Sequence, residues 1–352
     1  MRLTRRALLG STLAAATFAQ EAGAQEAGLR ALAEARGLAI GAMVTRGQLR
    51  DYPALLPPLR RDAALLAPGL ELKWDTLRPT PEAFNFAPAE EIAALASANG
   101  MGLRGHTLVW HEALPRWFDP AALPAATLRA TLERHIRTVA GHWRGRIASW
   151  DVVNEPLGED GLRDSPLADP EVIRLCFQWA READPGARLV VNDYDLELGD
   201  RRQERRRATM LRLLEGLLRA GAPVQALGLQ AHLAPRSAPF GAARLARFLR
   251  EVAGMGLAIE VTELDIVDRL LPADIAARDA EGAAMVADFL RVALDQPATK
   301  MLIMWGLSDV QSWQQDSAFA RRRDGLPSRS QPLDREMQKK PIWHAIAGAL
   351  RP

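Results

Sequence analysis

Short apolar runs alternate with longer amphipathic stretches from residue 38 to the end of the chain. Eight runs stand out: Leu38–Val44, Gly69–Trp74, Gly102–Trp110, Ala148–Glu155, Ala187–Tyr194, Ala226–Leu233, Leu257–Ile266 and Met301–Ser308. Each suits a strand covered on both faces. Ala148–Glu155 ends in Asn154-Glu155-Pro156, and Pro156, lacking an N–H, takes the chain out of the ladder there. The stretches between the runs carry helix signals. Ala89–Ala98 closes on Asn99-Gly100. Leu128–Trp143 places Leu128, Leu132, Ile136, Val139, Ala140 and Trp143 on one helical face. Asp169-Pro170-Glu171 opens Val172–Ala183 with a cap, a proline at the first position and an acidic first turn. Further helices are expected over Arg206–Ala220, Ala243–Ala253, Ala280–Leu294 and Ile342–Leu350. Eight such strand–helix units with no long linker predict an α/β fold, a single-domain (β/α)8 TIM barrel spanning residues 25–352. An open doubly wound sheet is the alternative, but no glycine-rich phosphate loop follows the first run.

A barrel gathers its chemistry at the C-terminal ends of its strands. The polar residues of this chain fall there. His106 and His111 flank the end of the third run, and Asn154 and Glu155 end the fourth. Asn192, Asp193 and Tyr194 end the fifth, Gln230 and His232 the sixth, Glu263 and Asp265 the seventh, and Trp305 lies near the end of the eighth. Strands four and seven face each other across the mouth, so Glu155 and Glu263 can oppose one another over a central pocket. Two opposed carboxyls are what glycoside hydrolysis requires: one protonates the leaving oxygen while the other attacks the anomeric carbon or activates water. A protonated His232 between Glu263 and Asp265 would keep Glu263 ionised. Glu155 has no evident cation beside it and suits the protonated role.

Composition refines this picture. The 352 residues are 48% apolar and 25% charged, as in an ordinary globular protein. Nine Trp against two Tyr offer flat apolar faces that stack on sugar rings or bases, with about half expected to serve core packing instead. Residues 1–24 combine basic Arg2, Arg5 and Arg6, a short apolar run and Ala22-Gly23-Ala24. They read as a twin-arginine-like signal peptide, so the protein is expected to be exported, periplasmic or secreted. No run is long enough to span a bilayer. Loss of residues 1–24 takes the formal charge from +2 to about zero, which gives no reason to expect nucleic acid or an anionic membrane as partner. The cluster Arg201, Arg202, Arg205, Arg206 and Arg207 is expected to be a solvated helix face. Cys176, the single cysteine, reads as a small buried apolar residue, and no Cys/His spacing suggests a metal. No cofactor is expected, and the chain is expected to act as a monomer.

Three segments carry a family resemblance. Trp150-Asp151-Val152-Val153-Asn154-Glu155-Pro156, Val261-Thr262-Glu263-Leu264-Asp265 and Arg104-Gly105-His106-Thr107-Leu108-Val109-Trp110-His111 resemble glycoside hydrolase family 10, the endo-β-1,4-xylanases. Asn192-Asp193-Tyr194, Gln230-Ala231-His232, Trp305 with Trp313, and the 108-residue gap between the glutamates fit as well. The resemblance spans about residues 38 to 350, in order. It implies a retaining, endo-acting double displacement on xylan or a related β-1,4-linked plant polysaccharide, with Glu155 as acid/base and Glu263 as nucleophile. It further implies that Asn154, His232, Asp265 and Asp151 support the chemistry, Asn154 by holding the 2-hydroxyl of the sugar being cleaved. Lys73, His106, Trp110, His111, Tyr194, Gln230, Trp305 and Trp313 would line the sugar sites. The match has gaps: Gly69, Leu70 and Ala113 stand where the family pattern has Glu, Asn and Gln, side chains that grip the sugar one unit beyond the cleaved one. Asp195 likewise replaces an Asn. A carbohydrate-binding or weakly active relative with an altered distal subsite is therefore the second reading.

Overall fold

The computed structural model describes residues 27–351, so the expected signal peptide at 1–24 lies outside the described residues. Eight parallel strands form the barrel: β1 Ala39–Val44, β2 Leu65–Pro68, β3 Gly102–Gly105, β4 Ile147–Asn154, β5 Arg188–Asp193, β6 Ala226–Leu229, β7 Ala258–Ile266 and β8 Thr299–Met304. Each pairs with its sequence neighbour, and β8 closes on β1 through Ala39 opposite Met301 to Ala42 opposite Met304. Two short extensions, Val109–Trp110 on β4 and His232–Leu233 on β7, continue the sheet at the mouth.

Seven of the expected strands overlap the observed ones, but the second lies elsewhere. Strand β2 is Leu65–Pro68, and Gly69–Lys73 is the turn that follows it. Leu65-Leu66-Ala67 is too short a run to stand out, and Pro68 ends the pairing. Runs three and six are also broken. The chain leaves β3 at Gly105 and re-enters the sheet at Val109, with a cis peptide between His106 and Thr107. It leaves β6 at Leu229 and bends at Ala231, whose φ is +60°. The broken ends turn polar side chains into the mouth.

The seven expected helices are present, while the short helices Leu29–Ala35, Arg46–Asp51 and Leu56–Asp62, all before β2, lie outside the amphipathic stretches read from the sequence. Asp169 caps Pro170–Ala183 by accepting from the N–H groups of Glu171 (2.8 Å) and Val172 (3.3 Å). The arginine-rich stretch begins its helix earlier than expected, at Arg201, with Asp200 as cap. It is not wholly a solvated face. Arg206 and Arg207 are buried. Arg206 pairs with Asp193 at 2.6 Å and donates to the carbonyls of Tyr194 and Gly158, while Arg207 donates to those of Leu196 and Leu198. Both reach backbone carbonyls of the loop after β5, and Arg206 also that of Gly158 after β4, groups that need donors. Cys176 is buried as expected, and burial pushes its thiol up.

The main apolar core lies between the strands and the helices. Inside the barrel, a small cluster of Leu65, Ala67, Met301 and Ile303 is accompanied by ions. The Arg104 guanidinium donates to both oxygens of Asp151 at 2.6 Å and to Glu260 at 3.3 Å, and Ser149 also donates to Glu260. All four side chains are shut off from solvent. Removing Arg104 takes the shared guanidinium from two buried carboxylates, leaving Asp151 with His106 and Glu260 with Arg188 and Ser149. Arg104→Met is expected to cost about 3–5 kcal/mol, read as a fall in the midpoint of urea unfolding. A shift no larger than that of a surface substitution, about 0.5 kcal/mol, contradicts this pairing.

Candidate active site

Glu155 is the first residue past β4 and sits at φ +57°, a left-handed conformation that costs a non-glycine residue about 1–2 kcal/mol. Its N–H donates to Asn192 O at 2.8 Å, and its carbonyl accepts from Arg163 Nε at 3.2 Å. Those bonds fix the bend that throws its side chain inward. Gln230 Nε2 donates to Glu155 Oε1 at 3.0 Å, and Asn154 Nδ2 approaches the same oxygen at 3.4 Å. With Oε1 receiving amide donors, the acid proton belongs on Oε2. Burial raises the pKa of Glu155 above the usual carboxyl range; Gln230 and Trp110 pull against this, and the charges of Glu263 and Glu112 add to it.

Glu263 ends up on the other side of its ordinary value. Burial alone would raise it, but the charge of His106 and the hydrogen bond and charge of His232 prevail and hold it low. His232 Nε2 lies 3.3 Å from Glu263 Oε2, and its Nδ1 lies 2.8 Å from Asp265 Oδ1. Although burial opposes its charge, Asp265 and Glu263 raise the His232 pKa well above the usual value. The imidazolium that follows donates from both nitrogens. Asp265 is itself fixed by Trp313 Nε1 at 2.7 Å and Gln314 Nε2 at 3.2 Å. Asn192 links β4 and β7: its Nδ2 donates to Asn154 Oδ1 and to Glu263 Oε1, each at 2.8 Å, while its Oδ1 accepts from Thr262 at 2.7 Å.

Most of the expected ring converges. Asp151 accepts from Arg104 and sits 2.8 Å from His106 Nδ1, which places His106 4.0 Å from Glu263. Trp305 meets the His106 ring edge-on at 5.0 Å. Lys73 Nζ lies 4.6 Å above the Trp110 ring, and burial lowers its pKa against the pull of Glu263, Asp75 and Glu155. His111 lines a cavity with Glu155, Trp110, Arg163 and Ser165. Burial and Arg163 push it down to about 4, so it stays neutral at pH 7. Tyr194 remains at the rim with the Arg206 guanidinium 4.3 Å over its ring. Among the described residues, no hydrogen bond links it to Glu155 or Glu263.

Several contributors are not legible in the sequence. Gln314 carries no motif of its own and is recruited only because it follows Trp313. Arg163 lies in a polar loop, and its role is to hold the Glu155 carbonyl. Asn192 is visible as a strand-end amide, but its bond to Glu263 reaches across β6 and needs the register of β5 on β6 and of β6 on β7. Asp195, where the family pattern has Asn, pairs with Arg202, which also binds Glu159.

The turn after β2 offers no substitute for the missing handles. Leu70 is half-exposed and Ala113 buried. Glu71 does not take over, because its carboxylate accepts the N–H of Arg46 at 2.7 Å and of Leu70 at 3.3 Å. A Cβ on Gly69 would lie 2.6 Å from Met43 Sδ, so the methionine fills the space that a side chain there would need.

A raised carboxyl and a lowered one on strands four and seven of a (β/α)8 barrel define a glycoside-cleaving site of the two-carboxylate type. The sequence profile of "Glycosyl hydrolase family 10" matches residues 28–349, and the chain belongs to that family. It is 32% identical over 299 residues to endo-1,4-beta-xylanase B of Thermotoga neapolitana, covering 83% of this chain and 84% of the relative. The structure of native xylanase 10B from Thermotoga maritima superposes with a TM-score of 0.81 at 33% identity, covering 92% of this chain and 98% of that one. Xylanase 10B from Thermotoga petrophila RKU-1 in complex with xylobiose gives 0.82 at 32%, covering 93% and 98%.

Proposed function

We propose that the protein is a retaining endo-β-1,4-xylanase acting by double displacement. The observation that carries this reading is the opposite displacement of the two carboxyls: burial raises Glu155 above its ordinary value, while His106 and His232 hold Glu263 below it. Glu263 attacks the anomeric carbon as Glu155 Oε2 gives its proton to the leaving oxygen. The covalent glycosyl-enzyme is then released by water that Glu155, now ionised, deprotonates. Asn154, with Oδ1 occupied by Asn192 and Gln230, presents Nδ2 to a sugar hydroxyl. The names of the relatives above support xylan as the polymer. The N-terminal sequence supports export to the periplasm or medium, where a polymer too large to enter the cell would be met.

The test is product analysis on xylans, mixed-linkage glucan and cellulose, with the anomer of the first product followed by NMR. Xylan is expected to yield short oligosaccharides released first as the β-anomer. Cleavage of glucan but not xylan refutes the sugar assignment, and an α-anomeric first product refutes retention. Binding without cleavage of any of the three leaves a carbohydrate-binding protein.

A further inference from the structure

The long segment between β8 and the last helix, Pro341–Leu350, carries an aromatic side chain that the chemistry above does not use. Phe319 is 69% exposed, the most open large apolar side chain among the described residues. It leans on Trp313 with ring centroids 5.5 Å apart and planes at 52°. Trp313 in turn lies 5.0 Å from the His232 ring, which touches the nucleophile. An aromatic surface thus runs without a break from the reacting centre out onto this segment.

The segment is built to hold that ring in place. The Arg322 side chain is almost wholly buried, donates to the carbonyls of Asp268 and Leu271, and pairs with Asp324. Arg269 Nη1 donates to the Phe319 carbonyl at 2.6 Å, and Ser317 accepts from the N–H groups of Ala320 and, through its carbonyl, Arg321. Ala320, next to Phe319, is fully buried. The backbone is therefore pinned on both sides of a side chain left in water. A buried guanidinium is costly unless its donors are used, and here that cost secures the loop that presents Phe319. Fixing a flat apolar ring before binding spares the ordering cost that a mobile loop would incur.

We propose that Phe319, continuing from Trp313, is a stacking platform for a sugar of the polysaccharide chain beyond the one held between Glu155 and Glu263. The inference rests on the xylanase reading above. It makes Phe319 a residue that discriminates by chain length: long substrates reach it and short ones do not.

The experiment compares the wild-type protein, Phe319→Ala and Phe319→Trp on soluble xylan and on an aryl β-xylobioside. Phe319→Ala is expected to raise KM for xylan about five- to tenfold with kcat little changed, while its kcat/KM on the aryl xylobioside falls by less than about twofold. Phe319→Trp is expected to restore the wild-type KM. A Phe319→Ala protein matching wild type on xylan overturns the platform and leaves the xylanase reading standing. Equal losses on both substrates overturn it too, because they make Phe319 a prop for Trp313 rather than a contact to substrate. Wild-type protein that cleaves neither substrate removes the catalytic reading itself, and the platform with it.

Discussion

Glu263→Ala is expected to lower kcat on xylan by about 10⁴-fold or more, roughly 5.5 kcal/mol of lost transition-state stabilisation. His106 and His232 together hold its carboxyl below the ordinary glutamate value. Truncation leaves a gap beside Asn192 and His232, whose donors to it, at 2.8 and 3.3 Å, fall free. A small anion fits such a gap. Added azide is therefore expected to restore turnover of an activated aryl β-xylobioside and to form the α-glycosyl azide, with configuration inverted. Recovery of the β-azide instead assigns the attack to another group. His232 accounts for part of this behaviour: its charge draws the anion as it draws Glu263.

Glu155→Ala has a different signature. Loss of a general acid costs about 10²–10⁴-fold where the leaving group needs its proton. Xylan, with a sugar hydroxyl leaving, is expected to suffer that loss, and an aryl glycoside whose phenol leaves unaided is expected to lose far less in its first step. Equal losses on the two substrates speak against an acid role. The pH profile provides a second check. Glu263 must be ionised, so activity falls as pH drops through its pKa, which lies below the ordinary glutamate value. Glu155 must be protonated, so activity falls as pH rises through its pKa, which lies above that value. The wild-type profile of kcat/KM is a bell between the two. In Glu155→Ala the alkaline limb on the aryl substrate should disappear until His232 loses its proton, well above the usual histidine value. An alkaline limb unchanged by the substitution assigns that limb to another group.

The handles absent after β2 bear on xylan itself. Each missing hydrogen bond is worth about 0.5–1.5 kcal/mol, and neither Glu71 nor Met43 replaces one. Binding must then draw more on stacking surfaces such as Trp110, Trp313 and, by our proposal, Phe319. A cleft that grips by faces rather than by hydroxyl-reading side chains tolerates variation in what its sugars carry.

Much of the fold and the two facing candidate carboxyls are legible in the chain alone. Asn154-Glu155-Pro156 announces a strand that stops at a carboxyl, and Glu263 with Asp265 does so again. The barrel rule then sets them opposite one another. Periodicity locates the helices because one apolar stripe per helix suffices to pack it on the sheet. It fails at β2, where Leu65-Leu66-Ala67 is too brief to rise above its surroundings and Gly69–Trp74 reads as the strand instead. It fails again at Arg206 and Arg207, since a charge pattern does not show which carbonyls the next loop leaves unpaired.

The sequence by itself determined the architecture, the two carboxyls and the residue types around them, because strand ends, caps and motif spacing are local properties. The sequence already pointed to Glu155 as the proton holder and Glu263 as the ionised partner; only the tertiary structure showed what shifts the two in opposite directions. Those shifts depend on burial of Glu155 among uncharged donors and on two histidines converging on Glu263 from the ends of β3 and β6, distances that no spacing along the chain encodes. The structure also decided that Asn192 ties the two catalytic strands together and that Phe319 is held outward by a buried Arg322. Both follow from register and packing, where residues far apart in the chain meet.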